Sequence, residues 1–150
     1  MRVFKDADEL AAAKGEVLGT GEWHEITQEA VNLFADATGD HQWIHVDVEK
    51  ADAGPFGGPI AHGYMTLSLV PVLVRDIYQI ENVAMVVNYG SNKVRFPSPV
   101  RVGARVRATS QLLDVTDVQG GKQAITKVTV EIEGSGKPAC VAEIVSRIVR

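Results

Sequence analysis

The chain reads as an α+β fold: a curved antiparallel sheet of about five strands wrapped around one long central helix. Three observations lead there. The run from Ala61 to about Tyr78 is apolar almost all round (Tyr64, Met65, Leu67, Leu69, Val70, Val72, Leu73, Val74, Ile77), a pattern suited to a helix that protein surrounds. After residue 82 the repeat of apolar residues shifts from about 3.6 to about 2: Ala124, Thr126, Val128, Val130 and Ile132 fall on one face, and Gln123, Ile125, Lys127, Thr129 and Glu131 on the other. The strands so marked follow one another with short turns, as antiparallel pairing requires, and helix and sheet are segregated along the chain.

Taken in order, residues 6–13 form a short surface helix with acids in its first turn, ended by Gly15. Val17 to Glu25 is a strand weakened by Gly19 and Gly21. Thr27 caps the next helix; Ile26 and Val31 stand at the staple positions, and Val31, Phe34, Ala35 and Thr38 make its buried stripe. Gly39 sits where a left-handed glycine ends a helix. Asp47 to Ala53 gives one or two helical turns capped by Asp47, followed by a loop through Gly54, Pro55, Gly57, Gly58 and Pro59. The apolar helix comes next, bent at Pro71. Strands are expected near 83–97, 104–117, 122–133 and 138–149, with Gly120-Gly121 as a hairpin turn.

The 150 residues suit a single domain spanning 1–150. A hydrophobic fraction of 45% and a charged fraction of 23% are those of a soluble globular protein. A net charge of −4 argues against nucleic acid as a partner, since phosphate binding needs clustered Lys and Arg. The single Cys140 rules out an intrachain disulfide and a multi-cysteine metal site, and its alternating segment makes it a packing residue. The N-terminus has no apolar signal core. Gly63 to Val74 is interrupted by Thr66, Ser68 and Pro71 and falls short of the ~20 residues a bilayer requires. The expectation is a cytoplasmic protein with no membrane partner.

The chemistry concentrates in Gly39-Asp40-His41-Gln42-Trp43-Ile44-His45. A carboxylate and an imidazole stand five residues apart, after a helix that fixes them, and general acid–base catalysis needs two such groups on a rigid support. Gly57-Gly58-Pro59-Ile60-Ala61-His62-Gly63 follows and opens the apolar helix. Free backbone N–H groups at that opening can hold a polarised carbonyl oxygen.

These residues resemble the MaoC-like hydratases, the R-specific enoyl-CoA hydratases (hydratase 2) of the hot-dog fold, over nearly the whole chain. The resemblance is carried by Phe34 to His45, where the family motif runs Gly-Asp-x-Asn-Pro-x-His, by Pro59 to Met65, and by Lys93 to Val100. It implies that Asp40 and His45 are the catalytic pair and that the Gly63 N–H donates to the thioester oxygen. It further implies a trans-2-enoyl-CoA substrate hydrated to the (R)-3-hydroxyacyl-CoA, and a homodimer whose sheets pair edge to edge. No cofactor beyond the coenzyme A of the substrate is implied. The favoured division of labour has Asp40 take the proton of the water and His45 protonate C2; sequence gives no pKa, so the reverse assignment stands open. The chain departs from the motif at Gln42, where Asn is usual, and at Trp43, where Pro is usual. Gln42 keeps an amide to position water or substrate, one methylene further out. Trp43 can stack over the site or narrow the acyl pocket.

Plainer roles stand beside these. Asp40 can be only a turn former. His41 and His45 have a spacing that could hold a metal on a helix, but Gly39 ends the helix before them and no third ligand is evident, so no metal is expected. His62 is read as structural, satisfying loop carbonyls; His24 and Asp36 as surface residues. Lys93, Arg95, Arg101, Arg105 and Arg107 read mostly as a wet strand face, with Arg95 singled out as a contact to coenzyme A because it lies in the family-like segment. Dehydration of 3-hydroxyacyl chains on acyl carrier protein uses the same residues in reverse. Thioester hydrolysis and a non-catalytic acyl-binding subunit are further alternatives.

Overall fold

The alternation across 104–149 produces three long strands in register. In the structure, a computed structural model covering residues 1–150, these are β6 (Arg105–Val118), β7 (Gly121–Ile132) and β8 (Cys140–Val149). Before them come β1 (Arg2–Phe4), α1 (Ala7–Ala12), β2 (Val17–Thr20), β3 (His24–Glu25), α2 (Gln28–Thr38), α3 (Trp43–Val46), α4 (Val48–Asp52), α5 (Gly63–Ser68), α6 (Val70–Val74), β4 (Tyr78–Ile80) and β5 (Met85–Arg95). The six-stranded sheet runs β2-β6-β7-β8-β5, with β3 also pairing β6, and every pairing in it is antiparallel. Ala124, Thr126, Val128 and Val130 are buried on its inner face.

Several local signals act as written. Thr27 accepts from Ala30 N at 3.1 Å and Asp47 from Lys50 N at 3.1 Å, each capping its helix. Gly39 ends α2 at φ 83°, its N–H reaching the Ala35 carbonyl at 2.8 Å. Cys140 is fully buried, and burial pushes its thiol up to about 11.

Other elements depart from what periodicity predicts. The helix expected from Ala61 to Tyr78 is two short helices with a break at Leu69. Pro71 has no N–H to continue the ladder. The Leu69 N–H is shared between the Met65 and Thr66 carbonyls, and Val72 N bonds three residues back to Leu69 O at 3.0 Å, a tighter turn. One side is open, with Tyr64 72% exposed. Tyr78 leaves the helix altogether: β4 pairs in parallel with β1, Arg2 against Tyr78 and Phe4 against Ile80. The strand expected over Val17–Glu25 is split into β2 and β3, with an irregularity between Val17 and Gly19.

β5 does not neighbour β6. It pairs with β8 at the far edge of the sheet, so residues 96–104 must cross over to reach β6. This crossover is pinned to the loop before α5: Ala61 N bonds Val100 O at 2.8 Å, Val102 N bonds Pro59 O at 2.9 Å, and Ile60 bridges Arg101. Topology thus brings the crossover against the start of α5. The buried apolar residues form two clusters. One centres on α5, α6 and Val31 against Val106, Val128 and Val130. The other joins Phe4, Leu10 and Ile77 to Leu112 and Ile148.

Candidate active site

The turn after α2 is built from side-chain bonds to the backbone. Thr38 Oγ1 donates to Phe34 O at 2.8 Å, and Asp40 Oδ1 accepts from Gln42 N at 3.3 Å. Asp40 is therefore a turn former, as its plainer role predicts, and its exposed carboxylate remains open to a further partner. α3, a helical turn that the sequence pattern does not mark, then carries His45 inward. His45 is buried, and its Nδ1 donates to the Ile60 carbonyl at 2.7 Å. Ile60 N in turn bonds Ile44 O at 3.0 Å, and Gln28 Nε2 donates to His45 O at 2.8 Å, so both chain segments around His45 are fixed.

That bond settles the His45 tautomer by chemistry: a carbonyl accepts, so Nδ1 carries the hydrogen and Nε2 presents a lone pair. Burial lowers the His45 pKa from its usual 6.5, outweighing the Ile60 bond and Asp40, which raise it. Burial thus favours the neutral ring, with Nε2 left as a free acceptor.

His62 completes the cluster. Its Nε2 donates to the Asp40 carbonyl at 2.9 Å, and its ring stacks on His45 with centroids 3.8 Å apart and planes at 24°. Its expected role toward loop carbonyls is the one observed. Asp40, His45 and His62 each present a ligand atom, all within 4.8 Å of one another. This is the group that could hold a metal ion; of the imidazole nitrogens, His45 Nδ1 and His62 Nε2 are occupied by carbonyls.

His45 lines a cavity of about 380 Å³ together with Gly63, Thr66, Phe96 and Val100. Gly63 opens α5, where the first N–H groups have no intrahelical acceptor. A Cβ at Gly63 would sit 2.9 Å from the Phe96 ring, so only glycine lets the ring lie on this backbone. Phe56 and Phe96 line the cavity and Gln28 holds the His45 carbonyl. Phe96 lies in the family-like segment 93–100 without being singled out there, and it arrives through the crossover, while Phe56 and Gln28 carry no sequence signal.

Of the predicted site residues only His45 and Gly63 belong to this lining; Asp40 stands outside it, exposed beside His45, and the others lie further off. Gln42 is exposed and begins α3 without a side-chain cap. Trp43, expected over the site, packs elsewhere: Lys50 Nζ sits 4.6 Å from its ring centroid, and a Cβ at Gly54 would meet the ring at 3.0 Å. Arg95 is exposed and donates to the neighbouring Val94 carbonyl at 2.8 Å. Arg105 and Arg107 pair with Glu133 and Glu131 across β6 and β7, and Arg101 Nη2 holds Gly57 O at 2.8 Å, which leaves Lys93 and Arg95 without ion pairs. His41 pairs with Asp36 at 2.8 Å on the surface, which raises its pKa.

Comparison with known proteins places the chain. Residues 9–134 match the family model described as the MaoC like domain. 3-Hydroxyacyl-thioester dehydratase Z of Mycobacterium tuberculosis is 61% identical over 150 residues, covering 99% of each chain. A monoamine oxidase regulatory protein from Archaeoglobus superposes with a TM-score of 0.78 at 23% identity, covering 99% of this chain and 97% of that one. An unliganded R-hydratase from Pseudomonas aeruginosa gives 0.73 at 20% identity, covering 91% and 82%. Fold and relatives together define a hydro-lyase of the dehydratase class on a hot-dog scaffold. The chain belongs to the MaoC-like domain family. No helix is long and apolar enough to cross a membrane.

Proposed function

We propose that the protein interconverts trans-2-enoyl and (R)-3-hydroxyacyl thioesters, with coenzyme A as carrier, through Asp40, His45 and Gly63. The observation that carries this reading is His45, whose Nε2 is left free by the Nδ1–Ile60 bond, with a ring nitrogen within 4.8 Å of an Asp40 carboxylate oxygen and its side chain in the wall of a cavity that Gly63 also lines. The identity to a 3-hydroxyacyl-thioester dehydratase supports the substrate class.

In the hydration direction, one water hydrogen bonds to Asp40 and the other to His45 Nε2. The water oxygen adds to C3, and His45 takes the proton that leaves it. The imidazolium then delivers that proton to C2, restoring neutral His45. Charge that develops on the thioester oxygen is met by the Gly63 N–H, an interaction whose loss typically costs on the order of 3 kcal/mol. Both new bonds form on one face, so addition is syn. A resting His45 that is neutral makes it the proton carrier, with Asp40 orienting the water; it disfavours the converse scheme in which Asp40 is the base and His45 begins as the acid. Dehydration runs the same steps backwards, with His45 removing the C2 proton.

The strand edge of β5 supports a homodimer. Met85, Val86, Val87 and Tyr89 are 42–63% exposed on a strand paired on one side only, and such edges are usually covered.

The test is loss of enoyl-thioester absorbance with crotonyl-CoA, for the wild type and Asp40→Asn, with an R-specific dehydrogenase reading the product. Turnover to the R product that falls at least a hundred-fold in Asp40→Asn is expected. Near-normal activity in Asp40→Asn would refute the mechanism. Turnover only with a carrier-protein thioester would replace coenzyme A as the carrier. Binding without turnover of either would make the chain an acyl-binding subunit.

A further inference from the structure

A second cavity of about 380 Å³ lies between α6 and the inner face of the sheet. It continues into a groove of about 400 Å³ beside β5, since Val70, Pro71, Asn88 and Ile144 line both. On the helix side Val70, Pro71 and Val74 make an apolar wall, and Arg75, Tyr78, Gln79 and Ile80 close the end beyond it, with the Tyr78 phenol beside the Thr126 hydroxyl. The sheet side carries polar groups. Ser110, Thr126, Ser146 and Asn88 all face it, one from each of four adjacent strands.

The register makes these four residues a diagonal stripe. Ser110 stands opposite Val128, one inward position from Thr126; Thr126 stands opposite Ile144, one inward position from Ser146; Ser146 stands opposite Asn88. The surrounding inward positions are Ala108, Leu112, Val128, Val130 and Ala142, all buried and apolar. Ser110 is fully buried, and its Oγ has no hydrogen-bond partner. A buried hydroxyl left unpaired is costly and rare in native proteins, so one that lines a chamber points to an occupant with a polar group.

The chamber lies beyond the candidate pocket along the direction of α5 and α6. Thr66 lines the pocket and Leu67, the next residue, lines the groove. Val70 and Val74 follow Gly63 by two and three turns, roughly 10 and 16 Å at the helical rise. An extended chain covers roughly 3.5 Å per three bonds, so an acyl tail held at Gly63 spans that distance in about nine to fourteen bonds.

We propose that the Ser110–Thr126–Ser146–Asn88 stripe is a specificity subsite for an oxygen function, a hydroxyl or carbonyl, carried far along the acyl chain of the substrate. This rests on the thioester hydratase reading above. The apolar helix side takes the methylenes, and the stripe takes the oxygen. A site built to hydrogen-bond a substrate hydroxyl discriminates against the analogue that lacks it, because its own polar groups are then left dry.

The test compares trans-dec-2-enoyl-CoA with its ω-hydroxylated counterpart, using the full-length protein and crotonyl-CoA as a control too short to reach the stripe. The expected result is a kcat/KM roughly ten-fold higher for the hydroxylated chain, with the ratio falling to about one in Ser110→Ala and in Thr126→Val. Equal rates on the two chains in the wild type, or a preference for the plain hydrocarbon, would overturn the proposal. So would a preference that survives both substitutions. Failure on crotonyl-CoA as well as on both long chains would instead overturn the hydratase reading beneath it.

Discussion

The imidazole of His62 lies flat against that of His45, 3.8 Å between centroids, while its Nε2 holds the Asp40 backbone at 2.9 Å. One buried side chain therefore touches both members of the proposed acid–base pair and ties the Asp40 backbone to the His45 ring. Phe34 closes its other side at 4.9 Å. His62→Ala removes the bond and the stack together. The expected outcome is a ten- to hundred-fold fall in kcat with KM nearly unchanged, and a stability loss of about 2 kcal/mol from the lost buried hydrogen bond and packing. His62→Gln, whose amide can still reach the carbonyl, should recover part of the turnover. Equal kcat in wild type and His62→Ala would show that the pair needs no such support.

The pH dependence follows from His45. Burial holds its pKa below the usual 6.5, and the mechanism needs it neutral. The acid limb of kcat/KM should therefore have its midpoint below 6.5. Stability has the same sign. As pH falls through 6.5, the unfolded chain takes up a proton at this position and the folded chain does not, so stability declines until the lowered folded pKa is reached and then levels off. His41 acts oppositely, since Asp36 raises its pKa; it is exposed, and screening makes its contribution small. Thermal unfolding of wild type and His45→Gln between about pH 5 and pH 7.5 isolates the effect. The variant should show the shallower pH dependence. An acid limb above 6.5 would refute the assignment of His45 as the base.

The parts of this molecule that were legible in the sequence are those fixed by neighbours in the chain. Thr27, Asp47 and Gly39 make bonds three or four residues away, and the alternating faces of β6 to β8 are written into every second residue. Asp40 and His45 come together for the same reason, across a single turn. Long-range pairing carried no such mark. β1 and β4 are three residues each and meet only because the chain returns after more than seventy residues. The path from β5 across to β6 depends on β8 arriving last, and with it the placement of Phe96 over Gly63. Trp43 is instructive in another way: its position in the motif suggested the pocket, but α3 turns its ring toward Lys50 and Gly54.

The hairpin after β6 separates two kinds of glycine requirement. Gly120 has φ 85° with open space where a Cβ would stand, whereas a Cβ on Gly121 would fall directly onto the Ile148 carbonyl oxygen. Gly120→Ala meets only the left-handed backbone penalty, about 1 kcal/mol. Gly121→Ala must push β7 away from β8 and should cost about 3 kcal/mol or more. Denaturant titration of the two variants should rank them in that order; equal losses would mean that the β7–β8 contact yields easily.

The unpaired edge of β5 gives the final prediction. Val86 and Asn88 line the chamber, so Val87 between them projects to the other side of the strand, where it is exposed; Tyr89, at a register irregularity, is exposed at the mouth of the groove with Arg147 4.0 Å from its ring centroid. A two-fold dimer would bring each edge against its own copy, so a charge placed there meets the same charge. Val87→Glu is the variant of choice because its side chain points away from the chamber and leaves the β8 pairing of residue 87 with Arg147 to the backbone. Sedimentation should show a dimer for the wild type and a shift toward monomer for Val87→Glu, weakening with added salt as like charges are screened. Pairing β5 to β5 would also place the groove beside Asn88–Ser91 next to the partner, so turnover of long-chain thioesters should fall with the dimer more steeply than turnover of crotonyl-CoA. A wild-type protein that sediments as a monomer at micromolar concentration would remove β5 as an interface and leave its apolar edge to another partner.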